Sequence, residues 1–111
     1  MLRDIENSLS CLNDGGVIVC HDCLPDNEHM QTYEIHNGAW TGDCWKAFAK
    51  YRKDSPYECY VLDCDHGCGV IDTNIVKTSD TSMIKDSIAD MTWQDFVENK
   101  KQWLNVKSNI L

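Results

Sequence analysis

Three groups of side chains in this sequence are suited to chemistry, and the tightest is His21-Asp22. An imidazole titrates near neutrality and can take a proton from a hydroxyl as a general base. A carboxylate beside it can hold the imidazole, accept a hydrogen bond from a substrate hydroxyl, or give one oxygen to an octahedral Mg²⁺ site. Both residues also have a plain structural reading, since strand ends turn polar where they reach water. The second group is His29, Tyr33, His36 and Trp40, within a polar stretch over 26–42. Loops of that length line or cover substrate pockets when they are ordered, and two aromatics favour order. Thr41-Gly42-Asp43 ends the stretch and opens a helix. An anion would meet unpaired N–H groups there, yet Asp43 already occupies much of that field and reads first as a structural cap.

The third group is the thiols: Cys11, Cys20, Cys23, Cys44, Cys59, Cys64 and Cys68. Cys20-x-x-Cys23 and Cys64-x-x-x-Cys68 have spacings compatible with a tetrahedral zinc site. The paired knuckle turns of a zinc ribbon are absent. Several of these cysteines fall inside apolar segments, where a free thiol packs as a small hydrophobe.

These residues need elements to position them. Asn13 to Gly16 end a helix over 2–12 whose Leu2, Ile5, Leu9 and Leu12 recur at spacings of three and four. Val17, Ile18, Val19 and Cys20 then run without alternation, which predicts a short strand buried on both faces of a parallel sheet. Polar groups just past such a strand, as at His21-Asp22, stand where open α/β sheets bind ligands. A helix follows from about Asp43 to Lys53, with Trp45, Phe48, Ala49 and Arg52 along one side, and Ser55-Pro56 breaks it. Residues 57–63 read as a second strand, and Asp65-His66-Gly67 turns it into a third over 68–71 as a hairpin. Residues 72–82 read as polar connection, and Ile84, Ile88 and Met91 as a short helix. Thr92-Trp93-Gln94-Asp95 forms a capping box for a last helix, Trp93 to about Leu104.

The totals bound the rest. With 111 residues the chain makes one domain, and four Trp, four Tyr and two Phe supply a modest core. A formal charge of −8 and a pI near 4.7 argue against nucleic acid and anionic membranes as partners. No apolar run approaches the roughly 20 residues that span a bilayer. The first twenty residues lack a basic start followed by an apolar core, so a cytoplasmic protein with reduced thiols is expected.

Three segments in order resemble the second half of a class I S-adenosylmethionine-dependent methyltransferase, in its bacterial and phage branch. The first is Asp4-Ile5, Leu9, Leu12, Gly15-Gly16, Ile18 and His21-Asp22. The second is the G-x-W-T-G-D-x-W-K-A run from Gly38 to Ala47, and the third the G-x-G-V-I strand from Gly67 to Ile71. The resemblance covers about residues 2–72. It implies a partial Rossmann-like α/β fold: a three-stranded mixed sheet in the order first-third-second, with helices on both faces. Residues 1–72 would form this half-domain, and residues 73–111 a helical C-terminal extension packed on it.

It further implies O-methyl transfer to a small hydroxylated acceptor, with His21 and Asp22 as catalytic residues. His29, Tyr33, His36, Trp40 and Asp43 would bind that acceptor. Catechol-type relatives place a Mg²⁺-binding Asp where Asp22 stands, but their neighbouring Asn is Cys23 here and a partner Asp is absent. Asp14 also replaces a common Pro. The family's Gly-rich turn and ribose-gripping acidic residue have no counterpart, so the chain alone is expected not to bind S-adenosylmethionine. A helix stands where such a domain would begin with a strand, so a missing N-terminal half is expected. The uncovered edge of the 17–20 strand then predicts a homodimer or a complementing second chain. Two rival readings remain: a non-enzymatic interaction module, and a zinc-binding domain.

Overall fold

The computed structural model describes residues 2–11, 16–20, 23–24, 44–64 and 67–107. Helix α1 (Leu2–Cys11) leads to strand β1 (Val17–Cys20), and α2 (Cys44–Asp54) is followed by β2 (Tyr57–Leu62) and β3 (Cys68–Val76). After a 3₁₀ turn (Ile88–Asp90) come α3 (Trp93–Leu104) and β4 (Val106–Lys107). The class is mixed α/β, with a sheet in the order β1-β3-β2-β4.

β3 is antiparallel to both β1 and β2, so β1 and β2 run parallel to each other, while β4 joins β2 in parallel. The expected order first-third-second is present, but among the described residues the sheet has four strands rather than three. The added strand β4 follows from Asn105, which takes the left-handed conformation (φ 51°) that ends α3 and turns the chain back along β2. β3 is also longer than the 68–71 expected and runs through residue 72 into what reads as polar connection. Its polar residues Asp72, Thr73 and Asn74 are tolerated because that half of the strand is only partly buried or exposed. The helix expected around 84–91 is a single 3₁₀ turn capped by Ser87. The capping box at Thr92 and Asp95 is present, each side chain accepting from the other residue's backbone N–H.

Register assigns the faces of the sheet. Ile18 pairs with Ile71 and Cys20 with Gly69, while Cys59 and Val61 face the same two β3 residues from β2. Opposed residues share a face, and this one is dry: Cys59, Val61 and Ile71 are fully buried. Ile5 from α1, Trp45, Phe48 and Ala49 from α2, and Phe96, Trp103 and Leu104 from α3 complete a single cluster on it. Trp45 packs tilted against Phe96 and Trp103, with ring centroids 5.1 Å and 6.5 Å away. Among the described residues the three helices therefore cover one face, where helices on both faces were expected. On the other face Val17 and Val19 are 48% and 55% exposed. The burial of β1 on both faces is thus corrected, because β1 pairs in antiparallel with β3 and has a single covered side. Among the described residues no helix is long and apolar enough to cross a membrane.

Candidate functional site

Because β1 and β2 are parallel, their carboxyl ends meet at one end of the sheet, with the start of β3 between them. Cys20, Gly69 and Val61 stand in one row across the three strands. Just beyond, the backbone N–H of Cys23 donates to the Gly67 carbonyl at 3.1 Å, fixing the chain after β1 to the turn before β3. Cys23 is fully buried.

Two glycines make this end of the sheet possible. Gly67 has φ +90°, and a Cβ there would lie 2.6 Å from the Leu24 nitrogen. Its left-handed backbone and the close approach both require glycine. A Cβ on Gly69 would lie 2.6 Å from Cε2 of Phe48 and 3.0 Å from the Cys23 sulfur. Gly69 is the gap through which α2 packs onto the sheet. Both glycines of the G-x-G segment are therefore required by close packing.

Thiols concentrate here. Cys20, Cys23 and Cys44 come from the end of β1, the residues after it and the start of α2, and Cys64 and Cys68 flank the turn from β2 to β3. Burial, and then the neighbouring Cys44, push the Cys20 thiol up to about 11. The Cys64 and Cys68 sulfurs are 3.7 Å apart. All seven cysteines are reduced. The adjacency of Cys44 to Cys20 has no signal in the sequence, since the two are 24 positions apart.

The residues read from the sequence as catalytic and metal-binding, His21 and Asp22, lie outside the described residues. So do the acceptor-binding candidates His29, Tyr33, His36, Trp40 and Asp43. What the structure places is their frame: Cys20 and Cys23, which bracket His21-Asp22 in sequence, are both buried at the carboxyl end of β1. Among the described residues no three His, Cys, Asp or Glu side chains are grouped to hold a metal ion.

A second polar cluster sits near the opposite end of β2. Arg52, 2% exposed, donates to the carbonyls of Cys59 (3.3 Å), Gln102 (2.9 Å) and Trp103 (3.2 Å) and to Ser79 Oγ (2.9 Å). Ser79 in turn donates to Glu58 at 3.0 Å, and Asn105 Nδ2 donates to the Cys59 carbonyl at 3.1 Å. Burial alone would raise the Glu58 carboxyl, but hydrogen bonds from Ser79 and Thr78 and the Arg52 charge leave it below its ordinary value. Each of these groups is satisfied by another, so the cluster is a clasp holding α2, β2 and α3 together.

Comparison of the chain with protein-family models, with curated proteins and with solved structures finds no match.

Proposed function

We propose that the chain is the acceptor-side half of a methyltransferase-like domain, related to class I S-adenosylmethionine-dependent enzymes. The observation that supports this reading is the strand order β1-β3-β2, with α2 as the crossover from β1 to β2. That order is the one the resemblance implies for the last three strands of the parent fold, and the carboxyl end of β1, which His21-Asp22 follow in sequence, corresponds to its functional end. In this reading His21 is the general base toward a small hydroxylated acceptor. Asp22 orients the imidazole, binds the hydroxyl or contributes one oxygen to Mg²⁺. His29, Tyr33, His36, Trp40 and Asp43 form the acceptor pocket.

The methyl donor does not fit this chain alone. Its adenosine and carboxylate need a Gly-rich turn and an acidic ribose partner, whereas Gly67 and Gly69 are committed to packing against Leu24 and Phe48. The chain by itself therefore has no means to position a methyl group and is inactive alone.

Titration calorimetry with S-adenosylmethionine tests this. Binding weaker than about 10 μM, or roughly −7 kcal/mol, is expected, and tighter binding by the isolated chain overturns the half-domain reading. The coding sequence upstream of Met1 gives the complementary test. An in-frame strand and Gly-rich turn there would support the reading, and an unrelated gene would count against it.

One observation favours a second reading, an interaction module that completes another polypeptide or a second copy of itself. Among the described residues β1 pairs only with β3, and it presents the half-exposed Val17 and Val19 beside its other edge. Such an edge accepts an added strand. Light scattering that gives a mass near 12.7 kDa at micromolar concentration would refute the homodimer.

A further inference from the structure

We propose that Cys64 and Cys68 form a reversible dithiol–disulfide couple at the turn between β2 and β3. The sulfurs are already in contact at 3.7 Å, and a disulfide needs them at about 2.05 Å. The turn holds them in that relation. Gly67 N–H donates to the Cys64 carbonyl at 2.7 Å, Cys64 N–H donates to the Leu62 carbonyl at 2.9 Å, and Leu62 stands opposite Cys68 in the ladder. Both thiols are partly exposed, so a small oxidant can reach them.

The other thiols do not compete equally. Cys20, Cys23 and Cys59 are buried, and burial pushes Cys20 and Cys59 up to about 11, which keeps them protonated and unreactive near neutral pH. Cys11 is exposed on α1, where its near neighbour is the Ser10 hydroxyl at 3.7 Å rather than another thiol.

With oxidised glutathione as the oxidant the chemistry balances. The thiolate of one cysteine attacks a glutathione sulfur, forming a mixed disulfide and releasing one reduced glutathione. The second thiolate attacks the protein sulfur of that mixed disulfide, forming the Cys64–Cys68 bond and releasing the second. Two protein thiols lose two electrons and two protons, and one glutathione disulfide gains them.

The bond would be felt at the candidate site. Gly67 lies inside the closed loop, its carbonyl accepts from Cys23 N–H, and its α-carbon abuts Leu24. Closing the loop therefore acts on the segment that follows His21-Asp22. The couple stands on the turn geometry and does not depend on the methyltransferase reading.

The test equilibrates the full chain with glutathione buffers of increasing oxidised fraction, quenches with an alkylating agent and maps the cysteines by peptide mass spectrometry. We expect the chain to lose two alkylatable thiols and the mass of two hydrogen atoms, in one peptide linking Cys64 to Cys68. Cys64→Ser should then retain glutathione on Cys68, and Cys68→Ser should retain it on Cys64. Any of three results on the wild-type chain overturns the proposal. These are both thiols staying alkylatable at every ratio, a stable glutathione adduct persisting on either, and a disulfide mapping to another pair. Protection of both thiols without oxidant, reversed by a chelator, would assign them to a metal and overturn it as well.

Discussion

Replacing Arg52 by Met keeps the aliphatic volume of the side chain and removes its four hydrogen bonds. The consequence is worked from α3. The last four carbonyls of a helix have no intrahelical partner. Asn105 N–H serves the Lys101 carbonyl, and Arg52 serves those of Gln102 and Trp103. Without the guanidinium, the Gln102 carbonyl can turn to water, because that residue is exposed. Trp103 is 3% exposed, so its carbonyl loses a donor where water does not reach. An unsatisfied buried carbonyl costs about 1–3 kcal/mol, and each charge-assisted hydrogen bond lost is worth about 1.5–3 kcal/mol without being additive. The Cys59 carbonyl keeps Asn105 as a donor, which limits the damage there. A net loss of about 3 kcal/mol follows, a large share of a stability that is typically about 5–15 kcal/mol.

The assay is urea unfolding followed by tryptophan fluorescence, since Trp45 and Trp103 are buried in the core that would open. The midpoint should fall with little change in the slope, because the surface exposed on unfolding is the same. Arg52→Lys should recover only part of the loss, as an ammonium cannot reproduce a planar fork aimed at α2's three neighbours. A loss under about 1 kcal/mol for Arg52→Met, below the worth of a single satisfied buried acceptor, would refute the clasp. Full stability of Arg52→Lys would refute its dependence on guanidinium geometry.

Gly69→Ala places a methyl 2.6 Å from the Phe48 ring and 3.0 Å from the Cys23 sulfur. Such overpacking costs about 1–3 kcal/mol, readable as a lowered thermal midpoint. Thr92→Ala removes the acceptor for Asp95 N–H at 3.2 Å and half of the capping box. It should cost about 1 kcal/mol, with faster amide exchange in the first turn of α3. Acid should destabilise the fold through Glu58 and Asp95. Burial raises both carboxyls, but hydrogen bonds and the nearby Arg52 and Lys85 hold each below its ordinary value of 4.5 or 3.8. Their contribution is complete above those ordinary values and is lost as pH falls through the lowered native ones. Alkali acts through Cys20 and Cys59, whose thiols are raised from 9.0 to about 11. Their protonated burial stabilises fully below pH 9 and is lost as pH rises toward 11, so denaturation midpoints should fall across that window.

Much of the fold is legible from local pattern. The apolar face of α2 was readable down to Arg52, because period 3.6 places it with Trp45, Phe48 and Ala49 whatever its charge. The hairpin of β2 and β3 was readable from β-formers around Asp65-His66-Gly67, and the start of α3 from its capping box. Each of these is set by residues within a few positions of one another. The order first-third-second was an expectation of the resemblance and was not set by any local pattern.

Other features belong to the tertiary structure. Val17-Ile18-Val19-Cys20 has no alternation, so the sequence cannot say which side is covered; the antiparallel register with β3 and the packing of all three helices on one face decide it. β4 is too short and mixed to be seen alone, and it exists because Asn105 turns the chain beside β2. The polar half of β3 runs past a break in the ladder, where the register shifts from Glu58 opposite Asp72 to Tyr57 opposite Val76. At the candidate site the sequence identified residue types at the end of β1. The influence of Cys44 on Cys20 and the meeting of Gly69 with Phe48 were decided by packing, whereas Cys64 and Cys68 meet across a local turn that their spacing already showed. Sequence pattern reports periodicity and local propensity, whereas contacts between distant segments depend on which surfaces the whole chain buries together.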